Sequence, residues 1–351
     1  MIDIKKEYKR FDKKNYNFFF LAGDIGGTNT NLGIFGVKNK IPTLLLSFHF
    51  KSQRLKASHY AINQILNYIQ KNYKINITKA CIAVAGVLSA NKDYAKVTNA
   101  KWSVDKKILL NNTKLKKILL INDFEAIGYG INMLKNKGIA IIKRAKKISK
   151  APIIVVGAGT GLGKTTLLYN EYHKSYLPIP SEAGHSDFPA QNEEELELID
   201  FIKKYKKIKN VSYENILSGQ GLSNIYLFLR KNSKFKPTKY TKEIGKFKNQ
   251  PELISKYRKI DKTCKKTFEM FKIAYARFAK NMALDALSLC GVYIGGGIAP
   301  KNRDIFDKYF IKEFEESRKM KHILRKIPIY LVSNYNVGLL GAGFAGAKLL
   351  E

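Results

Sequence analysis

The sequence predicts an α/β fold in two similar halves that face one cleft, and three observations predict it. Short apolar runs of strand length alternate with longer segments of helical periodicity, the pattern of largely parallel sheets covered by helices. A strand run that ends in a Gly/Thr/Asp turn occurs at 18–29 and again at 153–163, and a third glycine turn follows at 294–297. The chain has 351 residues, 45% of them hydrophobic, enough for one large or two medium cores.

Taken in order, residues 1–16 are charged, lack an apolar centre and read as a loose basic extension. Segment 17–23 is an apolar strand that runs into Asp24-Ile25-Gly26-Gly27-Thr28-Asn29, and 31–37 and 42–50 continue as short strands, so the chain starts antiparallel. In 59–71, Ile62, Ile65, Leu66 and Ile69 recur at helical spacing. Segment 80–85 is a buried strand closed by Gly86. Segment 116–121 is another, closed by Asn122-Asp123 ahead of a helix over 124–134. The second half opens with a strand at 152–156, and 165–169 and 174–177 read as strands flanking a turn. Acidic 193–197 begins a helix, where carboxylates suit the positive end of the dipole. Segment 231–262 is the most lysine-rich and reads as an exposed helix or loop insert. Residues 264–289 form one long helix with Phe268, Phe271, Ala274, Tyr275, Phe278 and Met282 on one stripe. Strands at 291–294 and 328–332 and a helix at 338–350 complete the chain.

The formal net charge is +35, carried by 54 lysines and nine arginines. Lysine spread through the whole chain reads as solvated surface, and no nucleic-acid motif or arginine-dense face accompanies it, so no specific nucleic-acid partner is expected. The charge does favour anionic small molecules. Cys81, Cys264 and Cys290 are isolated and odd in number, without metal-ligand or redox spacing, which points to a reduced, cytoplasmic setting. The run Phe18-Phe19-Phe20-Leu21 is too short for a signal-peptide core or a membrane span.

Four constellations carry chemistry. Asp24 ends a strand, where a carboxylate can hold water on a magnesium ion; Gly26 and Gly27 let the following turn approach a phosphate, and Thr28 and Asn29 can donate to it. The second is Gly157-Ala158-Gly159-Thr160-Gly161-Leu162-Gly163. With Lys164-Thr165 it imitates a P-loop, yet Thr165-Thr166-Leu167-Leu168-Tyr169 is β-branched and aromatic and predicts a hairpin where a P-loop needs a helix. The third is Asn122-Asp123, where Asp123 is placed for general-base work at a strand end or, alternatively, caps the next helix. The fourth is Pro180-Ser181-Glu182-Ala183-Gly184-His185 with Glu214, acceptors and donors suited to a polyhydroxylated ligand. The single pair Glu182/His185 is a poor metal site. Thr98-Asn99 and Trp102 form a polar loop whose plain alternative is packing.

In this order the motifs resemble the bacterial glucokinase family of the hexokinase/actin-like ATPase superfamily, from about Phe20 to the C-terminus. Tyr213-Glu214-Asn215-Ile216-Leu217-Ser218-Gly219, Ile294-Gly295-Gly296-Gly297-Ile298 and Gly338-Leu339-Leu340-Gly341 extend the match. The resemblance implies the two-domain actin-like ATPase (ribonuclease H-like) fold with mixed sheets and an interdomain cleft that closes on glucose. It implies a small domain over 1–133 plus 334–351 and a large one over 134–333. It implies ATP-dependent phosphorylation of glucose with Mg2+, with Asp123 as the base toward the 6-hydroxyl. Asn99, Asn122, Glu182, His185 and Glu214 match sugar-binding residues. Asp24 matches the magnesium-side carboxylate, acting through water. Gly26, Gly27, Thr28 and Asn29 match the first phosphate loop, Gly159, Thr160 and Gly161 the second, and Gly296 and Gly297 the adenosine side. A homodimer is implied. A kinase for another hexose or aminosugar, or a non-catalytic sugar- or nucleotide-binding regulator, remains open; the absence of a zinc-binding cysteine cluster and of an N-terminal DNA-binding helix pair argues against a repressor. Lys164, the 1–16 extension and 231–262 depart from the family pattern.

Overall fold

The computed structural model describes residues 4–7, 11–134, 138–232, 235–247 and 250–350. They fall into two units: Met1–Lys137, Asn170–Pro180 and Asn334–Glu351 form the first, and Gly138–Tyr169 and Ser181–Ser333 the second.

The first unit opens with strands β1 (Ile4–Glu7), β2 (Phe18–Ile25), β3 (Asn29–Lys38) and β4 (Ile41–Lys51). Helix α1 (Ser58–Tyr73) leads to β5 (Lys79–Val84), then a two-stranded ribbon of β6 (Tyr94–Lys96) and β7 (Ser103–Asp105). Helix α2 (Lys106–Asn112), β8 (Lys117–Asn122) and α3 (Asp123–Ile131) follow. The sheet order is β1-β4-β3-β2-β5-β8. The pairs β1/β4, β4/β3 and β3/β2 are antiparallel, and β2/β5 and β5/β8 are parallel. Expected as loose, the 1–16 extension instead adds β1 to the edge of β4. The unpaired amides and carbonyls of an edge strand template such pairing. Residues 1–3 and 8–10 lie outside the described residues.

The second unit begins with β9 (Ile139–Lys143), β10 (Ile153–Ala158) and β11 (Leu162–Asn170); β12 (Ser175–Ser181) comes next in the chain and falls in the first unit up to Pro180. Helices α4 (Glu193–Lys206), α5 (Gly219–Lys231), α6 (Lys239–Lys246), α7 (Gln250–Tyr257) and α8 (Lys262–Asp285) precede β13 (Gly291–Gly295). Helices α9 (Lys308–Glu315) and α10 (Lys321–Leu324), then β14 (Ile329–Val332), complete it, and α11 (Val337–Leu349) returns to the first unit. Strands run in the order β11-β10-β13-β14-β9; β10/β13 and β13/β14 are parallel, β10/β11 and β14/β9 antiparallel.

The large domain expected over 134–333 is interrupted, because 170–180 clusters with the first unit. There the Asn132 amide donates to Tyr176 O at 2.9 Å and accepts from Tyr176 N at 3.0 Å, and Leu177 packs with the α11 core. Segment 231–262 is less exposed than expected: Ile244, Ile254 and Tyr257 join the buried core. Its residues 233–234 and 248–249 lie outside the described residues.

Strand alternation gives the first sheet two cores. Leu21, Ile25, Leu32, Ile82 and Val84 face α1 through Ile62, Ile65 and Ile69. Phe20, Ala22, Phe35, Cys81 and Ala83 face Ala126 of α3 and Leu339, Ala342 and Ala345 of α11. The second unit has one large core, in which the α8 stripe Phe268, Phe271, Ala274, Tyr275 and Phe278 packs with Ile154, Val156, Val292 and Ile294.

Candidate active site

In the first unit the β2–β3 hairpin pairs Asp24 with Asn31 and Ile25 with Thr30, and Gly26 N–H donates to Asn29 O at 2.9 Å. The tip is pressed against 98–99: a Cβ on Gly27 would lie 1.9 Å from Thr98 O, so only glycine fits. Ser52 braces the tip from the other side. Its N–H donates to Thr28 O at 3.0 Å and its hydroxyl to Gly26 O at 2.5 Å. Trp102 Nε1–H donates to Ser52 O at 3.0 Å, so the chain's single tryptophan supports the turn. Lys51 Nζ donates to Asn29 Oδ1 at 2.9 Å, which leaves the Asn29 amide as its donor. Asn99 stands in the left-handed region at φ +60°.

The ends of parallel β2, β5 and β8 lie side by side; just past β5, Ala85 N–H donates to Ile25 O at 2.8 Å, and Thr98 N–H draws the 98–99 loop onto Ala85 O at 2.9 Å. Asn122 Nδ2 donates to Gly86 O at 3.2 Å. Asn122, and not Asp123, is the N-cap of α3. Its Oδ1 accepts from Phe124 N at 2.8 Å, and Glu125 Oε2 accepts from Asn122 N at 2.9 Å, which completes a capping box. Asp123 is the first helical residue, and its Oδ1 also accepts from Phe124 N, at 3.0 Å. A carboxylate there gains from the positive helix end. Sequence reasoning missed Glu125, buried and paired with Lys92 Nζ at 3.0 Å; Asn122-x-x-Glu125 was its signal.

Asp24 is next to last in β2, with its carboxylate against the first turn of α11. A Cβ on Gly338 would lie 2.6 Å from Asp24 Oδ2. Burial pushes its carboxyl pKa up to about 6, since no cation among the described residues compensates the charge. A hard oxygen donor in a cradle that excludes even a methyl group, short of positive charge, fits a water-bridged divalent cation. Among the described residues no group of three or more His, Cys, Asp or Glu could hold a metal alone.

In the second unit β10 and β11 form a hairpin, Ala158 opposite Leu162, around the three-residue loop Gly159–Gly161. Gly159 N–H closes it onto Gly161 O at 2.8 Å, and Gly219 N–H, at the start of α5, donates to Gly159 O at 2.8 Å. No helix follows Lys164, so this is not a P-loop. Lys164 is buried in β11, its Nζ 3.6 Å from Asp285 Oδ2. Because β13 lies parallel to β10, its glycine turn sits beside the hairpin. Gly296 has φ +80°, and Ile298 N–H donates to Ala158 O at 3.1 Å.

Glu182, His185 and Glu214 meet in the same unit. His185 Nδ1 is 3.5 Å from Glu182 Oε2 and Nε2 is 3.8 Å from Glu214 Oε1. Glu182 and His185 are exposed and Glu214 half-buried. Glu214 Oε2 accepts from Leu162 N at 2.9 Å. The structure therefore assembles two sets. Asp24, Gly26, Gly27, Thr28, Asn29, Asn99, Asn122 and Asp123 belong to the first unit, and Gly159, Thr160, Gly161, Glu182, His185, Glu214, Gly296 and Gly297 to the second.

The glucokinase of Trichormus variabilis is 33% identical over 344 residues, covering 94% of this chain and 99% of that protein. The crystal structure of glucokinase from an Antarctic psychrotroph, 25% identical, superimposes with a TM-score of 0.76 over 97% of this chain and 99% of that one. A ROK family glucokinase from Streptomyces griseus in complex with glucose and AMPPNP shares the fold at 15% identity, TM-score 0.61, over 93% of this chain and 98% of that one. The fold is thus the two-domain actin-like ATPase fold of sugar kinases. Residues 21–349 match the family model described as Glucokinase, and the chain belongs to the glucokinase family.

Proposed function

We propose that the protein transfers the γ-phosphoryl group of ATP to the 6-hydroxyl of glucose, giving glucose 6-phosphate and ADP, with Asp123 as general base. The observation that carries this assignment of roles is the cap of α3. Asn122 and Glu125 complete it, so helix capping does not by itself account for a carboxylate at 123. Asp123 takes the proton of the attacking hydroxyl. Asn99, Asn122, Glu182, His185 and Glu214 supply hydrogen bonds that orient the sugar, a role for which paired carboxylates around an imidazole are suited. The Gly26 and Gly159 amides hold their turns closed, so the other amides of Gly26–Asn29 and of Gly159–Gly161 stabilise charge on the phosphates, and Gly296 and Gly297 give the adenosine backbone access. Asp24 would hold Mg2+ through water; the ion, when bound with ATP, neutralises phosphate charge.

A homodimer in the cytoplasm is part of the same reading, supported by family membership and by three buried cysteines that form no disulfide. Sedimentation of the purified chain tests the dimer. Asp123→Asn tests the base: ADP release coupled to a reporter enzyme should fall by on the order of 10³-fold, while calorimetry still registers glucose binding. Turnover within a few-fold of the parent would refute it.

A further inference from the structure

The hairpin loop Gly159–Gly161 and the carboxylate cluster are joined through one residue, Leu162. Its N–H donates to Glu214 Oε2 at 2.9 Å. Its carbonyl oxygen lies only 2.1 Å from where a Cβ on Gly184 would fall, so the Glu182–His185 turn presses on it from the other side. The loop touches the same carboxylate directly, since a Cβ on Gly161 would lie 2.5 Å from Glu214 Oε2. The other oxygen, Oε1, is the one that faces His185 Nε2 at 3.8 Å. Glu214 is itself anchored, its backbone carbonyl accepting from Ser218 Oγ at 2.8 Å beside the α5 cap. One carboxylate thus places one oxygen on the phosphate-type loop and the other on the sugar-type cluster.

We propose that Glu214 is a positioning residue for the nucleotide in addition to a ligand of the sugar: it fixes the shape of the Gly159–Gly161 loop and thereby couples the two subsites. This rests on the kinase reading above. A charge-assisted bond to the first amide of β11 holds the loop's exit, and with that acceptor gone the amide is left without it. Coupling of this kind is reciprocal, so a sugar that fixes the carboxylate tightens nucleotide binding and the nucleotide tightens sugar binding by the same factor.

The test titrates the full-length protein with AMPPNP by calorimetry in the absence of sugar, where a residue that only binds sugar has no effect. Glu214→Ala is expected to weaken AMPPNP about tenfold or more. Glu214→Gln, whose amide oxygen still accepts from Leu162, should restore affinity to within about threefold. Glu182→Ala flanks the same histidine without bonding the loop and should match the parent. Gly161→Ala displaces the carboxylate without removing it and should reproduce the loss, which covers the case in which the alanine at 214 misfolds, judged by circular-dichroism melts. Equal AMPPNP affinity in the parent and Glu214→Ala overturns the inference, even in a chain that phosphorylates glucose. An equal loss in Glu182→Ala overturns it too. A Glu214-dependent affinity in a chain that phosphorylates no sugar sustains the inference and overturns the kinase reading instead.

Discussion

At the scale of single residues, Asp24 sets use against stability. Its carboxylate is held against Gly338 with its pKa lifted by burial, so in the nucleotide-free protein the charge costs free energy. Asp24→Asn keeps the shape and removes the charge. It should raise the melting temperature of the nucleotide-free protein at neutral pH, by a gain of about 1–2 kcal/mol, while lowering turnover with ATP; a lower melting temperature would show that the carboxylate has a native partner. The site residues were legible in the sequence to different degrees. Asp24 and Asp123 stood out because each lies at the end of a strand run, and Glu214 because it joins Glu182 and His185 as an acceptor suited to a polyhydroxylated ligand. The sequence left Asp123 open between base and cap, since both need an acid before a helix. Only the backbone showed that Asn122 takes the cap. Glu214 was legible as a ligand but not as a partner of Leu162, because 52 residues separate them and no local pattern encodes the bond. Trp102 likewise acts through Ser52 O, 50 residues away.

At the scale of elements, α11 meets α3 with backbone against backbone. A Cβ on Gly341 would fall 1.6 Å from Ala126 O, an overlap no rotamer relieves. Gly341→Ala should therefore cost about 2–4 kcal/mol, read as an early loss of helicity on heating, whereas alanine at Gly245, which has open space, should cost nothing of that size. The N-terminus of α9 gives a pH-dependent case. Burial pushes the Asp307 carboxyl up, but the Phe310 amide and the Lys272 ammonium outweigh it and hold its pKa below the usual carboxylate range. A depressed folded pKa contributes stability that is present above the unfolded pKa, near 4, and lost as pH falls through the folded one. Asp307→Ala should then cost about 1 kcal/mol near pH 7, and melts should show the gap to the parent narrowing below pH 4; a gap that persists there would assign it to packing. Elements with a period of their own were legible: the stripe on α8 and the apolar runs of β5, β8, β10 and β13 needed only local spacing. β9 and the three-residue β6 and β7 carry too little pattern, and exist because β14 and each other supply their hydrogen bonds. The β1 strand was read as loose because its charge is conspicuous, whereas pairing on an edge depends on the backbone alone.

At the scale of the whole molecule, the net charge of +35 acts in two directions at once. Sixty-three cationic side chains against 28 anionic ones repel one another in the compact state, and the same field attracts polyphosphate. The Debye length falls from about 30 Å at 0.01 M salt to about 8 Å at 0.15 M, so added salt removes both effects. Ion pairs oppose this trend, but weakly. Exposed pairs are worth about 0–1 kcal/mol each, and the largely buried network of Arg277, bonded to Glu195 at 2.7 Å and to Glu313 at 2.6 Å, is too enclosed for salt to screen well. Raising KCl from about 0.02 M to about 0.5 M should therefore raise the melting temperature of the nucleotide-free protein while lowering kcat/KM for ATP, with kcat little changed. The opposite signs make the prediction specific: a salt that merely strengthened apolar burial would raise stability without touching the encounter with ATP. A melting temperature that falls with KCl would mean that the ion pairs outweigh the repulsion and that the lysine excess is no burden to this fold.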